Sequence, residues 1–318
     1  MAGPSTAEEA SRPKLPQRTI DSEELGFKTL YEYEDQDEIT IDIIAVHGLA
    51  ADPDWTWTFP SELPDGTKKE VNWLKDKDML QAALPKSRIM RFGYDSMWYG
   101  AGAVKQRLAN LANELLTDLK YERRGCEDRP IIFIGHCFGG LVLQKAYNLA
   151  KANDVDYPGI WNATTGIVFI GTPHQGAGAA LSSQGQIYQA IAAHELPTEH
   201  DILQILEKSN ETLVDIVREF TRLVNLRPPP VNLYCFFEQK STIVGKIVKD
   251  NSIKEFVVDE ASGVLHGHPF AGLPLDHFTL NKYKSAKDRN YIRVRNEIVT
   301  MAEKSKELLE SRSPGKIA

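Results

Sequence analysis

The chain has 318 residues, 42% hydrophobic and 25% charged, with 37 basic residues against 44 acidic ones for a net charge of −7. This balance offers no electrostatic footprint for nucleic acid, and no apolar stretch approaches the roughly 18 residues of a membrane-spanning helix. The three cysteines, Cys126, Cys137 and Cys235, are odd in number and lack C-x-x-C spacing, so neither a disulfide framework nor a zinc site is indicated and a reducing, cytoplasmic compartment is expected.

The N-terminal stretch mixes Pro, Ser, Glu, Lys and Arg without an apolar run, which predicts a flexible arm over residues 1–25 and no secretory signal. Residues 27–33 read as a short strand. Residues 39–46 read as another, ending in Ile43-Ile44-Ala45-Val46, and consecutive apolar positions of this kind mark a strand buried on both faces. Similar runs follow at 89–92, 131–134, 167–170, 233–237 and 256–258.

Helical patterns lie between them. Val104, Leu108, Leu111, Leu115 and Leu119 form one apolar face. Ile202, Leu206, Leu213, Ile216, Val217, Phe220 and Val224 form a longer one that Asn210 interrupts and Pro228-Pro229-Pro230 stops. Tyr291, Val294, Ile298, Met301 and Leu308 predict a final helix over 288–309. Alternation of strands and helices predicts an α/β domain over 26–312 with a mostly parallel sheet covered by helices on both faces. The span 174–230 exceeds any ordinary loop and is expected to hold a helical cap insertion, while 313–318 reads as a tail.

The chemistry gathers at residues 130–146. An apolar strand runs into Gly135-His136-Cys137-Phe138-Gly139-Gly140 and then into a helical pattern, the strand, sharp turn and helix of a nucleophile elbow. Glycines at 135 and 139 suit a turn too tight for side chains, and Cys137 takes the outward position at the helix N-terminus, where backbone N–H groups and the helix dipole favour a thiolate. The competing reading of Cys137 as a small buried hydrophobe does not explain the glycines around it. An oxyanion hole on such an elbow would use the N–H of Phe138 and a second from His47-Gly48-Leu49-Ala50, which follows the 39–46 strand; Leu49 is the first choice and Ala50 the next. His47 itself reads as a hydrogen-bonder that holds this loop.

In chain order the remaining partners are an acid and then a histidine, each after a later strand. Glu238, directly after the 233–237 run, is the expected acid and Asp259 the reserve. His277 leads the histidines that follow, ahead of His266 and His268; these last two have no third ligand at a recognisable spacing, so no metal and no cofactor is expected. His136 is expected beneath the elbow and His174 along a cleft.

The segments Ala45-Val46-His47-Gly48-Leu49, Asn72-Trp73-Leu74, residues 88–96, the elbow, Gly171-Thr172-Pro173-His174 and the stretch Asp276-His277-Phe278-Thr279-Leu280-Asn281-Lys282-Tyr283 together resemble the lipase-like α/β-hydrolases with a serine active site. That group takes in DUF676-type lipases, GPI inositol-deacylase-like enzymes and the SesB-like domains of fungal NOD-like receptors, and the likeness covers about residues 26–295. It implies an α/β-hydrolase fold and hydrolysis of a carboxylic ester, often of a lipid, with Cys137, Glu238 and His277 in the nucleophile, acid and base positions. It also implies peripheral contact with mitochondrial or endoplasmic reticulum membranes as an alternative to a cytoplasmic site. The departure is Cys137, which stands where those relatives carry serine, as cysteine does in dienelactone hydrolase. Sequence reasoning therefore yields an ester or thioester hydrolase acting through an acyl-enzyme. The alternative is a weak or inactive hydrolase-fold domain that binds a ligand or partner in receptor signalling, and a redox sensor at Cys137 is a weaker third reading.

Overall fold

The computed structural model describes residues 21–62, 65–96, 107–176, 210–226, 229–243 and 256–312. Its strands are β1 (Gly26–Glu32), β2 (Ile41–Val46), β3 (Thr58–Glu62), β4 (Lys68–Asn72), β5 (Ser87–Gly93), β6 (Ile131–His136), β7 (Thr164–Ile170), β8 (Asn232–Glu238) and β9 (Phe270–Leu273). The helices are α1 (Leu80–Ala83), α2 (Leu108–Glu122), α3 (Phe138–Ala152), α4 (Ile160–Ala163), α5 (Glu211–Asn225), α6 (Glu260–Gly263) and α7 (Arg289–Arg312).

Among the described residues seven strands form one sheet in the order β1-β5-β2-β6-β7-β8-β9, while β3 and β4 make a separate hairpin. Within it β1 runs antiparallel to β5, and the other described pairs are parallel. From β2 the chain first adds β5 on one side and then β6 on the other. The loops leaving β2 and β6 therefore diverge at the crevice where ligands bind on open α/β sheets.

The unbroken apolar runs are explained by burial on both faces. Ile44 and Val46 pack with Leu111, Leu115 and Leu119 of α2 and Leu141 and Val142 of α3, whereas Ile43 and Ala45 face Val294, Ile298 and Met301 of α7. At the opposite end of the strands from the crevice, fully buried Asp42 accepts Arg88 Nε and Nη2 at 2.9 Å each, Arg129 Nη1 at 3.2 Å and an Arg123 guanidinium hydrogen bond.

Several expectations need correction. Residues 256–258 are not a strand, and the strand beyond β8 is the short β9. Asn210 starts a helix, its side chain accepting the Leu213 N–H at 3.2 Å as the N-cap of α5, while Ile202 and Leu206 of the expected longer pattern lie outside the described residues. The end of the expected arm is folded, since Asp21 caps a turn at Ser22–Glu24 and the Glu24 carbonyl accepts Arg91 Nη1 at 2.7 Å. Of the expected cap, 177–209 and 227–228 lie outside the described residues. Its described helix, α5, belongs to the layer over the sheet, with Phe220 edge-on to Tyr147 and Phe169. The arm over 1–20 and the tail over 313–318 also lie outside the described residues.

Candidate active site

The turn between β6 and α3 holds Cys137 at φ 52° and ψ −125°, a conformation that costs a non-glycine residue about 1–3 kcal/mol. Its surroundings enforce the geometry. The Cys137 N–H donates to the Ile170 carbonyl at 3.0 Å, and a Cβ on Gly139 would lie 2.3 Å from the Val46 carbonyl oxygen and 2.4 Å from that of His47. A Cβ on Gly135 would meet Gly140 Cα at 2.6 Å. The glycine spacing is thus set by close backbone packing of β2, β6 and α3.

The Phe138 N–H heads α3, where the helix offers it no carbonyl partner. Across the crevice, the Ala50 N–H is taken by the Ser96 carbonyl at 2.9 Å, and Ala50 is itself at φ 51°. Among the described residues that leaves the Leu49 N–H unengaged. His47 holds this loop as a neutral imidazole: Nδ1 donates to the Gly48 carbonyl at 2.9 Å and Nε2 accepts the Tyr94 N–H at 3.1 Å. Burial pushes His47 down to about 4, against the pull of these hydrogen bonds.

Glu238, at the end of β8, and His277, in the loop after β9, come together although 39 residues separate them; His277 Nδ1 lies 2.7 Å from Glu238 Oε2 and both side chains are buried. Glu238 Oε1 accepts the N–H groups of Val257 and Val258 at 2.6 and 3.2 Å. The stretch read as a strand therefore serves to orient the carboxylate. Burial works against a charged His277, but the Glu238 and Cys137 charges and hydrogen bonds outweigh it and raise the imidazole to about 10. Its Nε2 is buried without a fully formed hydrogen bond. The Cys137 sulfur is near enough to act on it, and contacts of this kind commonly tighten only when substrate binds.

Asp259 is elsewhere engaged, its Oδ1 capping α6 through the Ser262 N–H at 2.9 Å. His266 is exposed, with Nε2 3.3 Å from Gln175 Nε2. The described residues contain no group of three or more potential metal ligands, and no described helix is long and apolar enough to cross a membrane. His136 packs between Trp57 and His277, at ring distances of 6.5 and 5.3 Å. Burial, reinforced by the charge on His277, holds it well below its ordinary range and therefore neutral. Beside α5 a cleft of about 560 Å³ is lined by His174, Val217, Leu226, Val264 and Leu265 among others, and Cys137 is not one of its walls. His174 is neutral too, pushed down to about 3 by burial, with Nδ1 2.9 Å from Gln144 Nε2.

Sequence reasoning left unassigned Val257, Val258, Thr242, Asn281 and Lys282, which hold the carboxylate or the His277 loop. Of these, Asn281 and Lys282 carry a sequence signal, their adjacency to His277.

This combination of a mostly parallel sheet, helices on both faces and an elbow after β6 is the α/β-hydrolase fold. The same fold is found in phospholipase PlaB from Legionella pneumophila in complex with thio-NAD, at a TM-score of 0.51 and 14% identity over 87% of this chain and 64% of that one. In sequence the chain is similar to Protein SERAC1 of Danio rerio, 30% identical over 196 residues, 57% of this chain and 29% of the relative. It is also similar to Protein SERAC1 of Homo sapiens, 25% identical over 271 residues, 80% of this chain and 38% of the relative. The chain thus spans well under half the length of the curated relatives it matches. No family model matches it.

Proposed function

We propose that this chain is a thiol-dependent hydrolase of carboxylic esters or thioesters, with Cys137 as nucleophile, His277 as base and acid, and Glu238 as the residue that orients His277. The observation that carries the reading is a thiol held at a left-handed φ on a strand-turn-helix elbow beside a buried imidazole–carboxylate pair. The shared fold and the similarity to SERAC1 support it.

His277 takes the proton of the Cys137 thiol as the sulfur engages the substrate. The sulfur attacks the acyl carbon, and the carbonyl electron pair moves to oxygen, where the Phe138 and Leu49 N–H groups receive the charge. Collapse of this intermediate expels the alcohol or thiol, which takes its proton from His277. Neutral His277 then removes a proton from water, the hydroxide attacks the thioester, and the acid leaves as the Cys137 sulfur recovers its proton from His277.

The test is turnover of short-chain p-nitrophenyl esters by the wild type, Cys137→Ala and His277→Ala. Loss in both variants is expected, and equal rates in all three proteins would refute the assignment. The presence of sulfur at the serine position keeps a ligand-binding domain as the second reading. Turnover gained only by Cys137→Ser would favour it.

A further inference from the structure

The loop that carries His277 is fastened on two sides. On one, the His277 N–H donates to Thr242 Oγ1 at 2.9 Å, and Asp276 Oδ1 accepts Thr279 N–H and Oγ1 at 3.0 and 2.7 Å, closing a turn around the base. On the other, buried Asn281 donates Nδ2 to the Thr56 carbonyl at 2.5 Å while its own carbonyl accepts Trp73 Nε1 at 2.9 Å. Lys282 donates Nζ to the carbonyls of Trp55 and Thr58, the second at 3.3 Å, and sits 5.5 Å from the centre of the Trp55 ring.

The receiving carbonyls, those of residues 55, 56 and 58, lie on one short turn and the start of β3. That turn continues the segment holding Leu49, and it is anchored in its own right: Asp52 Oδ1 accepts the Asp54 and Trp55 N–H groups at 2.8 and 2.6 Å. The contacts made by Asn281 and Lys282 therefore join the loop bearing the base directly to the loop bearing the second oxyanion donor. Burial pushes Lys282 down to about 8, so placing an ammonium there works against folding and an uncharged side chain would fill the space with less opposition.

We infer that Asn281 and Lys282 are positioning residues, a clamp that fixes the His277 loop against the Leu49 loop and so sets where the imidazole stands relative to the Cys137 sulfur. The inference rests on the thiol-hydrolase reading for the role given to His277. A clamp of this kind acts through geometry alone, and an ångström of misplacement at a reacting pair is worth up to about 10²-fold in rate.

The test uses the full chain and compares wild type, Lys282→Met, which keeps the stem and removes the donors, and Lys282→Arg, which keeps them. Alkylation of Cys137 by iodoacetamide at neutral pH, followed by mass spectrometry, reads the thiol–imidazole pair without requiring any ester to be a substrate. Lys282→Met is expected to slow it on the order of tenfold, with kcat on p-nitrophenyl butyrate reduced alike and KM little changed, while Lys282→Arg restores both. An alkylation rate in Lys282→Met equal to or above that of wild type would overturn the clamp, even with a lowered melting temperature, because a purely structural lysine would give that pattern. If Lys282→Met does not fold, Lys282→Gln is read by the same criteria. Ester turnover that is indifferent to Cys137→Ala would instead overturn the hydrolase reading, and the alkylation comparison would still report on the clamp.

Discussion

Replacing Glu238 by Gln tests the proposed mechanism at its most constrained point. Glu238 Oε1 accepts two backbone N–H groups, at 2.6 and 3.2 Å, and Oε2 faces His277 Nδ1 at 2.7 Å. In the amide only the oxygen can serve the Val257 and Val258 donors, so the –NH₂ group is driven to the His277 side and donates there. Nδ1 must then accept, and the ring proton of neutral His277 moves to Nε2, which faces the sulfur. An imidazole in that tautomer cannot take a proton from the thiol. Loss of the charge-assisted bond to Glu238 also lowers the imidazole from its folded value of about 10. The tautomer adds a kinetic penalty that reaches about 10⁴ when an amide replaces the acid of a Ser-His-Asp triad. We therefore expect kcat on p-nitrophenyl butyrate to fall about 10²- to 10⁴-fold at neutral pH with KM little changed, measured by stopped flow with the release of the first equivalent resolved from steady turnover. A Glu238→Gln protein that acylates at the wild-type rate would refute the reasoning.

Gly139→Ala should destabilise the domain by about 3 kcal/mol or more, because its Cβ would collide with two backbone carbonyls that cannot swing away, giving a lower urea midpoint at unchanged slope. His277 is raised from 6.5 to about 10 on folding, so its contribution to stability is complete below about pH 6.5 and is lost as pH climbs towards 10. Urea midpoints should therefore decline more steeply across that window in wild type than in Glu238→Gln, and parallel declines would count against the ion pair. Burial raises the Cys235 thiol to about 12, so iodoacetamide should leave Cys235 unmodified in the native protein at neutral pH and label it in denaturant; intact-mass and peptide analysis reads both.

The parts of this molecule legible in the sequence are those encoded over a few consecutive residues. The central strands announce themselves because burial on both faces demands uninterrupted apolar runs, and the elbow does so because backbone crowding admits only glycine at positions 135 and 139. Strand β9 was hidden for the opposite reason, since Phe270, Ala271 and Gly272 are exposed or only partly buried and offer no apolar run to read. The β3–β4 hairpin is short and its second strand opens on Lys68-Lys69-Glu70, which carries no strand signal. Residues 256–258 misled because their apolar side chains resemble a strand while the N–H groups of Val257 and Val258 are spent on a carboxylate. Glu238 and His277 could be named from chain order, but their 2.7 Å contact depends on neighbouring parallel strands that the sequence does not align by itself.

The ion cluster around Asp42 has a kinetic meaning. Its arginine partners lie 46, 81 and 87 residues further along the chain, on or beside β5, α2 and β6, so the cluster closes only after those elements have assembled around β2. Interactions formed that late act on the barrier to leaving the native state and scarcely on the barrier to reaching it. In Asp42→Asn, where buried guanidinium groups lose their counterion, the 3–5 kcal/mol typical of such a loss should appear chiefly as faster unfolding in a chevron, with the refolding limb nearly unmoved. The end of the sheet farthest from Cys137 would in this way set how long each folded molecule lasts.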